Sequence, residues 1–490
     1  MTLSIGLSTA LSGLSVSSEQ TSVVSRNVAR AGDASATRKI VNLASVPGAG
    51  VRIASITRAS NEALFDKLLS ATSSAAGRSA IADAVSELDQ TVLDPELDAS
   101  PAALLTKLGN ALQQYSAAPQ DSVRARAAVA AASDLTRGLN AATDVVQRVR
   151  SQADADIAQS VERVNSLLEQ FGRINTEIMQ GSQTGKDITD QLDQRDQILA
   201  GLAEQLGIRT VPRADNDMAI YTDSGITLFD RSARAVTFTR TGSFGPTTVG
   251  NAVLVDGVPI TGSSGVMLSR SGRLPALAST RDQIAVTYQD QLDEIARGLV
   301  QVFAESDQSV PATLPDLPGL FTYPGATGVP AAGSILSGLA GTIMVNPNVD
   351  PTSGGEPARL RDGASSGNPA YLYNSSGAAG YPDRLLELSD KLSGKLAFDA
   401  AAAVDAEATL GQFAASSVAW LEQTRQTSNN EADYQKTLLE RSQAALSKVT
   451  GVNLDEEMTT LLELERSYQA STRLISAIDD MLKTLLAAAA

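Results

Sequence analysis

Both ends of this chain carry a seven-residue apolar repeat, and more than 400 residues lie between them. The C-terminal repeat is the longer. With position a at Leu454, Leu461, Tyr468, Ile475 and Leu482, position d falls at Glu457, Leu464, Ser471, Ile478 and Leu485. That is coiled-coil spacing rather than the period of a helix lying on a globular core. Over residues 3–28, position a reads Leu7, Leu14, Thr21 and Val28, and position d reads Leu3, Ala10, Ser17 and Val24. This second stripe is small and partly polar, so its packing must be close and modest in energy. Gly6 and Gly13 weaken the isolated helix. A chain with matching seams at its two ends is expected to pair them with each other and with copies of itself, because a single two-helix pair is marginal alone. The residues expected to carry assembly are Leu7, Leu14, Val24, Val28, Leu461, Leu464, Tyr468, Ile475, Ile478, Leu482 and Leu485.

The stretch between the repeats is mostly helical. After a break at 31–50, VRIASITR reads as a short strand. Helical patterns then cover roughly 60–90, 101–118, 121–181 and 187–207, with Gly181 to Gly185 as a turn and Asp187 as a cap. In the third, Val145, Val149, Val161, Val164, Leu167, Leu168, Phe171, Ile174 and Ile178 track one face. From 208 to about 270, β-branched and polar residues alternate around DND and DSG turns, which predicts a small β-rich insertion. Helix resumes at 281–303. Residues 307–380 are rich in Pro, Gly, Ser and Asn and read as loop, with IMVNPNVDP the one strand-like piece. Helix returns from 383 to about 449, with an interruption near Gly394, and the last helix runs 454–486.

Chemistry is sparsely provided for. The 490 residues contain neither cysteine nor histidine, which removes thiolate nucleophiles, disulfides, most zinc sites and the commonest general base. Without histidine no Ser-His-Asp triad can form. Asp193 and Asp196 in LDQRDQIL could be read as an acid/base pair, but a charged helix face with local ion pairing around Arg195 is the stronger reading. The DND and DSG segments lack the ligand alternation of a calcium loop, and GSFGPTTVG does not open a helix as a phosphate loop would. Phe321, Tyr323, Tyr371 and Tyr373 are expected to anchor loops to a core or to line a contact. No cofactor is expected.

The 39 basic and 55 acidic side chains give a formal charge of -16, which argues against nucleic-acid binding. The acid is uneven. Residues 1–60 hold Arg26, Arg30, Arg38, Lys39, Arg52 and Arg58 against only Glu19 and Asp33, a mildly basic strip suited either to solvent or to an acidic surface such as the chain's own C-terminal region. MTLSIGLSTALSGL has no basic n-region and no continuous apolar core, so no cleavable secretory signal is expected, and no membrane insertion. GVNLDEEM reads as a helix entrance: Asn453 as N-cap, Glu456 closing a capping box, and Asp455 and Glu457 placing negative charge in the first turn.

The run GVNLDEEMTTLLELERSYQASTRLISAIDDMLKTLL resembles the closing motif of the flagellar hook-associated protein 1 family, and its Tyr468-Gln469-Ala470 neighbourhood recurs in hook and rod proteins. LSTALSGLSVSSEQTSVVSRNVARAGDASATRK resembles the axial-protein opening, with Leu11, Ser12, Gly13 and Leu14 at its core and Ser25, Asn27, Val28 and Ala29 in the next element. Arg30 stands where the family has a second asparagine, the family's tyrosine is absent, and Arg38 takes the place of its arginine, so the 30–38 turn is expected to differ. VERVNSLLEQFGRINTEI with LDQRDQILAGLAEQLGI, SGRLPALASTRDQIAVTYQDQLDEIARGLV, and PGLFTYPG with IMVNPNV resemble internal segments of the same family.

The resemblance implies a mainly α, multi-domain flagellar axial protein with paired terminal coiled-coil helices, a helical rod domain and a small β-rich outer insertion. The expected divisions are 1–58 (first terminal helix and hairpin), 59–207 and 271–450 (rod domain, with the loop-rich 307–380), 208–270 (β-rich outer domain) and 451–486 (terminal helix). It further implies export through the flagellar type III apparatus. It implies self-assembly on the hook protein, coupling to a second hook-filament junction protein, and an export chaperone on the C-terminal helix. Other readings are a hook, distal rod or flagellin-like axial subunit, a phage-tail or translocator protein, and a secreted carboxylate-dependent hydrolase.

Overall fold

The computed structural model describes residues 2–33, 35–47, 50–92, 100–263 and 265–489. Its first helix, α1 (Thr2–Ala29), is followed by an antiparallel hairpin of β1 (Lys39–Val46) and β2 (Gly50–Arg58). Gly50 sits at φ 94°, and any side chain there would overlap Ser12, so the hairpin can lie against α1 only because this residue is glycine.

The helical body contains α2 (Glu62–Val92), α3 (Pro101–Ala117), α4 (Ser122–Thr184) and α5 (Thr189–Gln205). Their limits follow local signals. Ser100 accepts from Ala103 N ahead of Pro101, which needs no donor of its own in the first turn. Asp121 accepts from Val123 N at 2.8 Å, and Gly185, at φ 69°, closes α4 in the left-handed region. At a rise of about 1.5 Å per residue, the 63 residues of α4 extend about 95 Å.

Two apolar cores are strung along α4. Its first half, through Leu135, Leu139 and Val146, packs with α3, with α7 (Ala285–Val302) and with the start of α11 (Leu410–Thr450). Its second half, through Ile157, Val164, Leu168 and Phe171, packs with α2, α5, α6 (Arg273–Ser279) and the β region. A single π turn, 280–284, joins α6 to α7 and buries Arg281, which pairs with Asp154 at 2.7 Å.

The β region is a four-stranded antiparallel sheet, β3 (Ile208–Pro212), β4 (Met218–Thr222), β5 (Thr227–Asp230) and β6 (Ser232–Ala233), followed by a three-stranded one, β7 (Val236–Thr237), β8 (Leu254–Val255) and β9 (Val258–Pro259). The DND and DSG segments are turns: Asp215, Asn216 and Gly225 all have positive φ. This region flanks the C-terminal half of α4, where Phe229 meets Phe171 edge to face at 4.8 Å. It lies close to the attachment of α1 and the hairpin. The far end, around the start of α4, is built by α3 and the 307–380 segment.

That segment departs from the expectation of open loop. Strands β10 (Phe321–Thr322) and β11 (Met344–Val345) and the short helices α8 (Leu339–Thr342) and α9 (Arg359–Asp362) lie in it, and Leu320, Phe321, Ile343, Val349 and Leu360 join the first core. Phe321 packs on Phe303 at 5.1 Å, Tyr371 donates to Pro315 O at 2.6 Å, and Tyr373 accepts from Ser306 N while Arg384 lies over its ring. The high Pro, Gly, Ser and Asn content of 307–380 hid a segment ordered by hydrogen bonds and by the apolar side chains it adds to the first core.

The expected helix from 383 to 449 is also divided more deeply than one glycine predicts. It consists of α10 (Asp383–Leu392), a small hairpin of β12 (Lys395–Ala397) and β13 (Glu407–Thr409), and α11. Thr409 and Gln412 form a complete capping box that restarts the helix. The chain ends in α12 (Leu454–Ala489). No helix among the described residues is long and apolar enough to cross a membrane.

Candidate functional site

The terminal helices run antiparallel in contact. A Cβ placed on Gly6 would lie 3.4 Å from Ile478, one on Gly13 would lie 3.4 Å from Ser471, and Asn27 donates to Glu457 at 3.1 Å. Every seven residues forward in α1 meet seven residues backward in α12, so the same step sets half-buried Gln20 opposite Leu464. Ser17 and Ser467 approach to 3.4 Å within this register.

On α12, Glu457, Leu464 and Ile478 are buried and Leu461, Ser471 and Ile475 half-buried. On α1 the seam is turned. Ala10, Ser17 and Val24 are buried, but so are Val16, Val23 and Asn27, whereas Leu7, Leu14 and Val28 are only half-buried. The physical reason is size: the glycines at 6 and 13 let the two backbones approach along their own line, which a stripe of leucines would hold apart. Tyr468, Leu482 and Leu485 remain exposed, as do Leu454, Met458, Leu462, Leu474 and Met481.

The entrance to α12 is partly as expected. Asn453 accepts from Asp455 N at 3.1 Å and caps the helix. Glu456 does not close a capping box; its carboxylate accepts from Arg38 at 2.9 Å instead. A long-range ion partner has taken the side chain that a local rule assigned to the Asn453 backbone. Asn27 fixes the junction of three elements. Its amide exchanges two hydrogen bonds with the Lys39 backbone, both 3.0 Å, while also donating to Glu457. The Ser25–Ala29 motif was the only sequence signal for it.

The two ends attach to the body through charge. Asp187, Asp190, Asp193 and Asp196 recur every third residue at the start of α5, and the cations of the N-terminal strip meet them. Arg26 pairs with Asp187 at 3.3 Å and Arg30 with Asp190 at 2.8 Å. Arg58 pairs with Asp193 at 3.0 Å and with Asp196 at 2.7 Å, and Lys39 pairs with Asp193. Asp193 also accepts from the Thr37 hydroxyl at 2.6 Å. Burial pushes the Asp196 carboxyl up, partly offset by Arg58 and Arg195. LDQRDQIL is therefore not a helix face with local pairing. Its carboxylates are saturated by residues more than a hundred positions away, which leaves neither free for acid/base work. Because Lys39 and Arg58 both pair with Asp193, only the loss of both would leave this buried charge with no closer cation than Arg30 at 3.8 Å, at a cost of about 3–5 kcal/mol. Arg195 faces the other way, donating to Asn216 O at 2.6 Å and so tying the DND turn to α5. Of the basic strip, Arg52 alone has an exposed side chain with no ion-pair partner among the described residues. No group of three or more carboxylates among these residues is placed to hold a metal ion.

Comparison with known proteins matches this architecture. A family model described as the helical domain of flagellar hook-associated protein FlgK matches residues 85–309, and one described as the C-terminal region of flagellar basal body rod FlgEFG proteins matches 443–488. Flagellar hook-associated protein 1 of Bacillus subtilis is 23% identical, across 98% of this chain and 97% of its own length. Its counterpart in Salmonella typhimurium is 24% identical, across 57% of this chain and 54% of its own length. The solved structure of the flagellar hook junction protein FlgK from Burkholderia pseudomallei overlaps 53% of this chain and 46% of its own, at a TM-score of 0.42 and 20% identity. The match of residues 85–309 and the near end-to-end similarity to a curated relative point the same way: this chain is similar to the flagellar hook-associated protein 1 family of the flagellar axis.

Proposed function

We propose that the protein is a structural subunit of the hook–filament junction, which self-assembles on the hook protein and couples it to the filament through the second junction protein. The observation that carries this reading is the terminal pair. It joins the two ends of the chain in one register, yet it leaves a long apolar surface on α12 without a partner in the single subunit. Such a surface suits neighbours supplied by a tubular lattice, in which weak helix contacts become stable by repetition. Leu461, Leu464, Ile475 and Ile478 would face both α1 and the next subunit, and Tyr468, Leu482 and Leu485 would face neighbours alone. Before assembly the same surface suits an export chaperone bound along α12. Export through the flagellar type III apparatus, location outside the cell, and the absence of nucleic-acid partners complete this reading.

Deletion of the gene tests it. The expected phenotype is intact hooks without filaments, with flagellin released to the medium, restored by the intact gene. Loss of the hook itself would overturn the assignment. That outcome would favour a rod or hook subunit, the reading supported by the match of residues 443–488 to rod proteins.

A further inference from the structure

An 890 Å³ cleft is bounded by α2, by α6 and the π turn, and by residues 246–252 ahead of β8. No residue of α1, the hairpin or α12 lines it. Residues 246–250 are the end of the GSFGPTTVG run. This loop has no regular secondary structure, yet two buried guanidiniums fix it. Arg150 donates to Gly245 O at 3.0 Å and to Thr248 O, and Arg281 donates to Asn251 O at 2.8 Å. Arg150 also lies over the Phe244 ring, 4.9 Å from its centre. Any side chain on Gly250 would overlap Arg281, so the backbone rests directly on that group.

The ladder that joins β8 to β9 ends where Ile260 N donates to Val253 O at 2.9 Å; Val253 N donates to the Thr261 hydroxyl instead. Upstream, Asn251 is bonded through both backbone groups, to Thr241 and to Arg281. Gly250 and Ala252, on either side of it, have backbone groups with no partner among the described residues. In an extended run the N–H and C=O groups of alternate residues point to one edge, so 250 and 252 present an open edge beside the cleft. The charge there runs against the rest of the chain, whose formal charge is -16. The charged lining is Arg78, Arg150, Arg270 and Asp282, and Asp282 gives both oxygens to Arg281. Arg78 pairs with Glu431 at 2.6 Å, whereas Arg270 is exposed with no ion-pair partner among the described residues. No aromatic ring lines the cleft, so it offers a sugar or a base nothing to stack on.

We infer that this cleft is a docking site for an extended acidic peptide segment of a partner protein, which adds a strand along Gly250–Ala252 and sets a carboxylate against Arg270. Main-chain hydrogen bonds of this kind supply affinity, and the flanking side chains supply selectivity. The two guanidiniums hold the glycine-rich loop in place beforehand, which removes the ordering cost that binding to a free loop would carry. Ser73, Ser74 and Gly77 on α2 are small and leave room for the incoming backbone. The site belongs to the helical body and the β region and needs neither terminal helix, so it stands apart from where in the flagellum the subunit is placed.

A fluorescein-labelled peptide of alternating threonine and glutamate, about ten residues long, probes the full chain by fluorescence anisotropy. Saturable binding below about 100 μM protein is expected. The same peptide methylated at every backbone nitrogen, and a peptide of alternating threonine and lysine, should each bind at least about tenfold more weakly. Arg270→Glu should weaken the acidic peptide by about the same factor with unchanged circular dichroism. Arg137→Glu, at an exposed position on α4 outside the cleft, should bind as the parent does. Absence of saturable binding would overturn the site, as would equal binding of either control peptide or equal effects of the two arginine substitutions. The peptide comparison needs no substitution, so the test survives a variant that does not fold.

Discussion

Asp290 and Asp293 lie on α7, a helix buried on almost every side, and burial raises both carboxyls to about 6. Asp399 and Glu294 add to the rise at Asp290, whereas at Asp293 hydrogen bonds from the Ala340 and Gly338 backbone oppose it. Their unfolded values are the ordinary ones, so between about pH 4 and 6 the folded chain binds more protons than the unfolded one. Stability must then fall as pH rises through this window and level off above about pH 7. Asp66, Asp89, Asp196 and Glu305 are also raised and act in the same sense; carboxylates held low, such as Asp187 and Glu387, withdraw stability only at lower pH. Urea titrations from pH 7.5 down to 5 should show the unfolding midpoint rising, and Asp290→Asn should flatten that trend. A midpoint that falls over this range would contradict the burial of these groups.

Among the elements, α12 separates local from long-range effects most clearly. Asn453 satisfies one of the helix's open N–H groups, so Asn453→Ala should lower the stability of this helix by about 1 kcal/mol. Glu456→Ala removes only a half-exposed pair with Arg38 and should cost about 0–1 kcal/mol. Amide hydrogen exchange in the first turn of α12 measures both, and equal losses would argue for a capping box after all. At Gly13 the space is limited to about one methyl group: Gly13→Ala should be tolerated, while Gly13→Leu should separate α1 from α12 and abolish protection along both helices. Periodicity made α2, α3, α4, α5 and α12 legible within a few residues of their ends, and turn chemistry identified the DND and DSG segments. It could not reveal the turn of the α1 seam, because two glycines count as gaps in an apolar pattern but act as points of closest approach. The β12–β13 hairpin was hidden inside an alanine-rich stretch whose composition favours helix.

For the whole molecule, the most consequential contacts join distant parts of the chain. The basic strip and the acidic α5 were both visible in sequence, but nothing in their local spacing says that they meet. Arg30, on the N-terminal side of this contact, pairs with Asp190 across 160 positions of sequence. The body is held by apolar cores along α4, the ends by a helix seam and an ionic joint, and the uncovered face of α12 remains for neighbours. On the proposed reading, this seam and face drive assembly. It is tested most directly by expressing Leu461→Asp or Ile475→Asp in a strain lacking the gene and imaging its flagella by electron microscopy. The predicted result is secreted subunit with a folded helical body and hooks that carry no filaments; filaments of normal number and attachment would contradict the claim.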